Sequence, residues 1–258
     1  MKANYHTHTR WCRHGSGEIG DYVREAIRLG FQEIAVTEHV PHRDNIDQKR
    51  MQWEEFPAYD RDFERVIASY GSQIRILKGF ECEYYPEELP WYEKAQKEYG
   101  YELLILGQHR CGKNREYDQF RRDKQPFVCK QYADEVCEGL ETGLFTFLAH
   151  PDLGIYRYHE DRWDDFCEEI MRQIFTCCEK NHIPVEINGN GYRDHRRYPD
   201  MQAFALSKEY QLEYLINSDA HEVQYLGHPS LAELESRVRE MGIQVTELLP
   251  EHYYRKRN

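Results

Sequence analysis

No apolar run in the 258 residues approaches the roughly 20 needed to cross a bilayer as a helix. The polar start also carries no apolar core of the kind an export signal needs, so a cytoplasmic protein is the expectation. The eight cysteines contain no Cys-x-x-Cys pair, which argues against a thiolate zinc site and, given their scatter, against a disulfide framework. Basic residues are outnumbered: 34 Lys and Arg face 46 Asp and Glu, a formal charge of −12. Phosphate backbones would be repelled over most of such a surface, so neither a nucleic-acid nor a membrane partner is expected. The aromatic residues do not interleave with Lys or Arg as a base-stacking stripe would. Glycine-bearing segments such as "GSGEIG" and "GFQEIA" make neither a P-loop nor a dinucleotide fingerprint. An anionic ligand would need a local positive site.

Histidine, by contrast, is plentiful. There are thirteen, and "NYHTHTRWCRH" at residues 4–14 places three of them at positions 6, 8 and 14. Apolar, β-branched segments predict strands at Ala3–His8, Glu33–His39, Arg75–Glu83, Glu102–His109, Thr146–His150, Pro184–Asn188 and Glu213–Asp219. Amphipathic patterns between them predict helices near Ile19–Leu29, Tyr59–Tyr70, Pro86–Tyr99, Cys129–Glu141, Arg162–Lys180, Met201–Glu209 and Ser230–Met241. This alternation with short connections predicts an α/β fold in a single domain over residues 1–258, either a parallel barrel or a doubly wound sheet. Longer loops are expected at Pro41–Phe56 and Arg110–Gln125.

The histidines gather at the ends of these strands. His6 and His8 end the first, His39 the second, His109 the fourth and His150 the fifth; "NSDAH" puts Asp219 and His221 at the end of the seventh, and Glu81 lies late in the third. In a barrel, the C-terminal strand ends converge on one face, where active sites are built. His6 and His8, at i and i+2, can point to one side of a strand and grip one ion together. Asp219 and His221 repeat that spacing with a carboxylate, and imidazole with carboxylate suits zinc, manganese or iron. His14, in the turn before the first helix, joins them as a candidate ligand.

In order along the chain, "HTH", His14, "TEH", "GFE", "GQH", "AHP" and "SDAH" resemble the PHP superfamily of metal-dependent phosphoesterases. The segments "EHVPH", "GFECEYYPE", "GQHR", "EINGNGYR" followed by "RYP", and "SDAH" resemble its histidinol-phosphatase branch. The resemblance runs from residue 4 to about 228 and implies a distorted (β/α)7 barrel with two to three divalent ions. It implies one metal on His6, His8, Glu81 and Asp219, a second on Glu81, His109 and His150, and a third on His14, His39 and His221. It selects Glu81 as the bridging ligand, which also follows from position, since Glu83 lies one step further out on the same strand face.

Three divalent ions would bring about six positive charges against the two of Glu81 and Asp219, a site that attracts phosphate dianions. Two ions about 3.5–4 Å apart can hold a hydroxide between them for direct in-line displacement at phosphorus. Asp219, Glu81 and His221 are therefore the expected catalytic residues. The resemblance offers Arg193 and His42 as substrate contacts, with Arg197 in reserve; Arg157, Arg162 and Arg196 are further loop arginines able to fork onto phosphate. Gly189 and Asn190 in "NGNGYR" stand where the family usually has hydroxylic residues. Asp44, Asp194 and Glu222 could receive a substrate ammonium. The expected substrate is a small phosphate ester, L-histidinol phosphate first. A nucleotide or sugar phosphate, or a metal-stabilised module without catalysis, are the alternatives.

Overall fold

The computed structural model describes residues 1–45 and 47–254. Seven parallel strands make one sheet: β1 (Ala3–Asn4), β2 (Glu33–His39), β3 (Arg75–Cys82), β4 (Leu103–Leu106), β7 (Phe147–Leu148), β8 (Val185–Asn188) and β9 (Tyr214–Asn217). Their order in the sheet is their order in the chain, and a parallel bridge between Thr7 and Ala220, with His8 N–H donating to Ala220 O at 2.9 Å, brings the last strand back to the first. The barrel is thus nearly closed. Helices α1 (Ile19–Arg28), α2 (Phe56–Tyr70), α3 (Leu89–Tyr99), α4 (Pro126–Glu141), α5 (Asp165–Asn181), α6 (Gly189–Arg193) and α7 (Met201–Ser207) connect the strands, and α8 (Ser230–Glu240) follows the last of them. Among the described residues, no helix is long and apolar enough to cross a membrane.

The longer helices bury one apolar stripe. Along α1, Ile19, Tyr22, Val23 and Ala26 fall at i, i+3, i+4 and i+7 and are all buried. Asp164 caps α5 by accepting from Cys167 N–H, and Pro126 opens α4 where a missing N–H costs nothing. The large core between sheet and helices includes Val23, Ile34, Phe63, Phe80 and Ile174, while a smaller one inside the barrel holds Ala3, Tyr5, Ala35, Leu77, Leu103 and Phe147.

Register carries the site. β2 and β3 pair Ala35 with Leu77, Thr37 with Gly79 and His39 with Glu81. At period two these three pairs share one face, so it runs from apolar through small to ligand-bearing toward the strand exits.

Several strands are shorter than the sequence predicts, although β2 runs its full expected length, Glu33–His39. The expected Ala3–His8 strand pairs only at Ala3–Asn4, and the expected Glu102–His109 strand ends at Leu106. His150 and Asp219 have left-handed backbones, with φ of 32° and 46°, a conformation that costs non-glycine residues about 1–2 kcal/mol. The segment Arg110–Gln125, expected as a loop, contains a two-stranded hairpin, β5 (Arg110–Cys111) and β6 (Tyr117–Asp118). A short helix, α6, follows β8 because the Asn188 side chain accepts from Gly191 N–H and starts a turn.

Candidate metal centre

At the strand exits the side chains of His6, His8, His14, His39, Glu81, His109, His150, Asp219 and His221 come together in overlapping groups of three whose donor atoms lie within 4.8 Å of one another. Glu81 is central. Its Oε1 lies 2.9 Å from His150 Nε2 and 3.5 Å from both His6 Nε2 and His109 Nε2; its Oε2 lies 2.8 Å from His39 Nδ1 and 3.3 Å from His8 Nε2. Asp219 Oδ1 approaches His6 Nε2 at 3.5 Å and His8 Nε2 at 3.3 Å. His221 Nε2 and His14 Nε2 stand 3.1 Å apart at the more exposed end.

The expectation was two ligand sets joined through Glu81 and a third, on His14, His39 and His221, apart from them, whereas the donors form a continuous chain. His39 groups both with Glu81 and His109 and with His8 and His221. Cys12 joins His14 and His221. Its thiol donates to Thr9 O at 3.1 Å, and burial raises its pKa, so Cys12 stays protonated in this environment.

The electrostatics suit a cation. Burial opposes charge on Glu81, but His109, His6 and the hydrogen bond from His150 outweigh it and hold the carboxyl well below its ordinary range. Asp219 is likewise held down against burial by His6 and His8. Burial lowers His6 and His8, yet neighbouring carboxylates more than reverse this, carrying His6 well above its ordinary value and His8 to about 9. Burial with nearby positive charge lowers His39 well below the ordinary value and His221 to about 3, leaving neutral imidazoles ready to coordinate. The pull that holds protons on His6 and His8 would equally hold metal ions.

A further observation supports that fit. His6 Nε2, His8 Nε2, His39 Nδ1, Glu81 Oε2 and Asp219 Oδ1 are buried and face one another at 2.8–3.5 Å without a well-aligned hydrogen bond. Buried polar atoms are nearly always satisfied, and here several unsatisfied ones converge on one place. The donor set of imidazoles and carboxylates is the one zinc, manganese and iron accept.

The imidazoles are held from behind. His6 Nδ1 is 2.8 Å from Glu186 Oε1, and His8 Nδ1 is 3.3 Å from Glu38 Oε1. A carboxylate on the far ring nitrogen fixes the tautomer and leaves Nε2 free to coordinate. Glu186 is itself tied to Asn188, Asn217 and the His150 N–H, and Glu38 to the N–H and hydroxyl of Thr9. Sequence reasoning missed both acids. The available signal was an acid inside an apolar strand, in "EIAVTEH" and "VEIN", where burial demands a partner.

The candidate substrate contacts are placed as follows. Arg193, on α6, donates to Asn190 Oδ1 and lies over the Tyr225 ring at 3.8 Å; Asn190 in turn donates to Asp219 Oδ2 at 3.3 Å. Arg193 therefore stands one residue away from a candidate ligand. Asp194 links Arg193 and Arg196, both at 2.9 Å. Arg196 and Arg157 line an open cleft of about 560 Å³ with Tyr156, Asp194 and His195. Arg197 also lines it, with its guanidinium 2.9 Å from Asp200 Oδ2, and Arg162 turns to Glu160. His42 is buried between Glu83 and Glu88, at 3.4 and 3.3 Å. Glu83 also pairs at 2.8 Å with Arg50, a buried arginine that the sequence reading did not single out. Asp44 pairs with Arg115 at 3.1 Å.

A PHP domain model matches residues 4–190. A probable histidinol-phosphatase of Schizosaccharomyces pombe is 31% identical over 120 residues, 42% of this chain and only 39% of that protein. The histidinol-phosphatase of Bacillus subtilis is 29% identical over 276 aligned positions, covering 91% of this chain and 99% of that one. Among solved structures, histidinol phosphate phosphatase of Lactococcus lactis, in complex with zinc, L-histidinol and phosphate, superposes with a TM-score of 0.74 at 16% identity over 95% of each chain. At that identity the likeness is one of fold.

Proposed function

The chain belongs to the PHP domain family, and from that premise we infer that it is a metal-dependent phosphomonoesterase that hydrolyses L-histidinol phosphate to L-histidinol and phosphate in histidine biosynthesis. The observation that carries the reading is the convergence of imidazole nitrogens from the exits of β1, β2, β4 and β7 onto Glu81 and Asp219 at the exits of β3 and β9. Support for the substrate comes from the relatives' names and from the L-histidinol and phosphate bound by the Lactococcus lactis enzyme. We also propose that it works in the cytoplasm, alongside the enzymes that make its substrate.

His6, His8, Glu81 and Asp219 would hold one ion, Glu81, His109 and His150 a second, and His14, His39 and His221 a third, with His39 near enough to Glu81 to be shared. Zinc, manganese or iron there supplies Lewis acidity to the phosphoryl oxygens and lowers the pKa of water, so no side-chain nucleophile is needed. Glu186 and Glu38 keep His6 and His8 in the coordinating tautomer. Arg193 meets the phosphate oxygens turned away from the centre, and Asn190 fixes its distance from Asp219. Asp194 holds Arg193 and Arg196 side by side, so two guanidiniums reach the dianion with little ordering left to do.

The test is phosphate release by zinc-loaded protein from L-histidinol phosphate, glycerol 2-phosphate and a nucleoside monophosphate. A kcat/KM preference of about tenfold or more for L-histidinol phosphate, worth about 1.4 kcal/mol, is expected. A smaller preference means that the site reads phosphate alone and the pathway assignment fails.

A further inference from the structure

The hairpin segment after β4 carries one side chain that neither the metal centre nor the arginines explain. Phe120 is 40% exposed, and it and Phe127 are the exposed large hydrophobics among the described residues. The Phe127 ring meets Tyr117 edge-on at the start of α4, away from the ligands. The Phe120 ring instead lies nearly parallel to His109, with centroids 5.9 Å apart and planes at 19°. It also meets the edges of Tyr156 and Tyr198, each at 6.3 Å, and Tyr198 stands 6.3 Å from His150. The two tyrosines are buried at 5% and 2% exposure, so Phe120 is the member of this group with free surface.

The position is held firmly. Gln119 N–H donates to His109 O at 2.9 Å, and Phe120 N–H donates to Asp118 Oδ1 at 2.8 Å. Further along, the buried Lys124 ammonium donates to Leu153 O at 2.7 Å and Gly154 O at 3.2 Å, fastening the segment to the loop after β7. The open part of the ring is apolar surface beside a strongly polar centre, and covering it with another ring is favourable. Arg157 lies 4.8 Å over Tyr156, and Arg196 donates to the Tyr198 hydroxyl, so phosphate-binding charge borders the same aromatic group.

We propose that the exposed surface of Phe120 is where the planar ring of the leaving group packs, making Phe120 a specificity residue that selects phosphate esters of ring-bearing alcohols. The proposal rests on the phosphatase reading above and adds to it the contact that distinguishes imidazole-bearing histidinol from an aliphatic alcohol. Ring against ring in this setting contributes about 0.5–1.5 kcal/mol, and the upper part of that range is about tenfold in affinity.

The experiment compares zinc-loaded wild type with Phe120→Ala, Phe120→Leu and Phe120→Tyr. Phe120→Ala should lower kcat/KM for L-histidinol phosphate about tenfold, mainly through KM, while glycerol 2-phosphate turnover and zinc content stay unchanged. Calorimetry should show L-histidinol binding weakened by a similar factor and inorganic phosphate binding unaltered. Phe120→Leu should resemble the alanine variant, because bulk without a ring does not stack, and Phe120→Tyr should resemble wild type. Equal losses on both esters would mean that Phe120 only braces His109, and no loss on either would mean that the ring is idle; each result overturns the proposal. Should wild type show no preference for L-histidinol phosphate, the substrate reading falls by itself. The ratio of phenyl phosphate to glycerol 2-phosphate turnover, wild type against Phe120→Ala, then still decides the role of the ring.

Discussion

The two ends of the barrel bury polar groups in opposite ways. At the strand-entry end, Glu33 accepts from Tyr5 OH at 2.6 Å, from Tyr254 OH at 3.3 Å and from the Arg75 guanidinium at 3.2 Å, and Tyr5 OH accepts from Leu249 N–H at 2.9 Å. The segment around Leu249–Tyr254 packs over that end with none of these side-chain atoms left unsatisfied. At the exit end, five nitrogen and oxygen atoms of His6, His8, His39, Glu81 and Asp219 are buried beside one another with no well-aligned hydrogen bond. The chain carries enough hydrogen-bonding groups to satisfy a buried carboxylate, and at one end it uses them. The difference teaches that the exit end is left incomplete for something that is not protein.

The largest separation between the ends should come from Glu81→Gln. Removing the charge shared by His6, His8, His39, His109 and His150 should cost activity on the order of a thousandfold and most of the bound metal, with circular dichroism unchanged. Gly107→Ala comes next. A Cβ at Gly107 would fall 2.0 Å from Glu81 Oε1, so the carboxylate must move, and a loss of about a hundredfold with reduced metal content is expected. Retained activity in either variant would detach Glu81 from the centre. Glu186→Gln keeps the shape but weakens the hold on His6, and zinc affinity should fall about 10–100-fold with little change in melting temperature. At the other end, Tyr254→Phe removes one hydroxyl from Glu33 and should cost about 1 kcal/mol, roughly 2–4 °C in melting temperature, while zinc content and kcat stay as in wild type. A drop in zinc affinity there would erase the contrast between the ends.

Much of the exit end is legible in the sequence because strand period and strand direction are both simple. "TEH", "AHP" and "SDAH" each finish an apolar segment, so their polar residues can only leave at one end of a parallel barrel. The sharing of His39 was not legible, since it depends on the register that sets His39 beside Glu81. Glu38 and Glu186 were overlooked because a single acid in a strand resembles an exposed one until its partner is known, and the partners His8 and His6 are about 30 and 180 residues away. Loop arginines were the least readable. Whether Arg193, Arg196 or Arg197 turns toward the centre is decided by carboxylates at Asp194 and Asp200, which composition alone does not orient.

The central claim is that the unsatisfied donors at the strand exits exist to hold metal ions, and zinc titration of chelator-treated protein tests it most directly. Calorimetry with elemental analysis should find two to three ions bound per chain, with protons released as metal displaces them from His6 and His8, and a higher melting temperature in the loaded protein. Binding of no ion, with melting unchanged by zinc, manganese or iron, would contradict it.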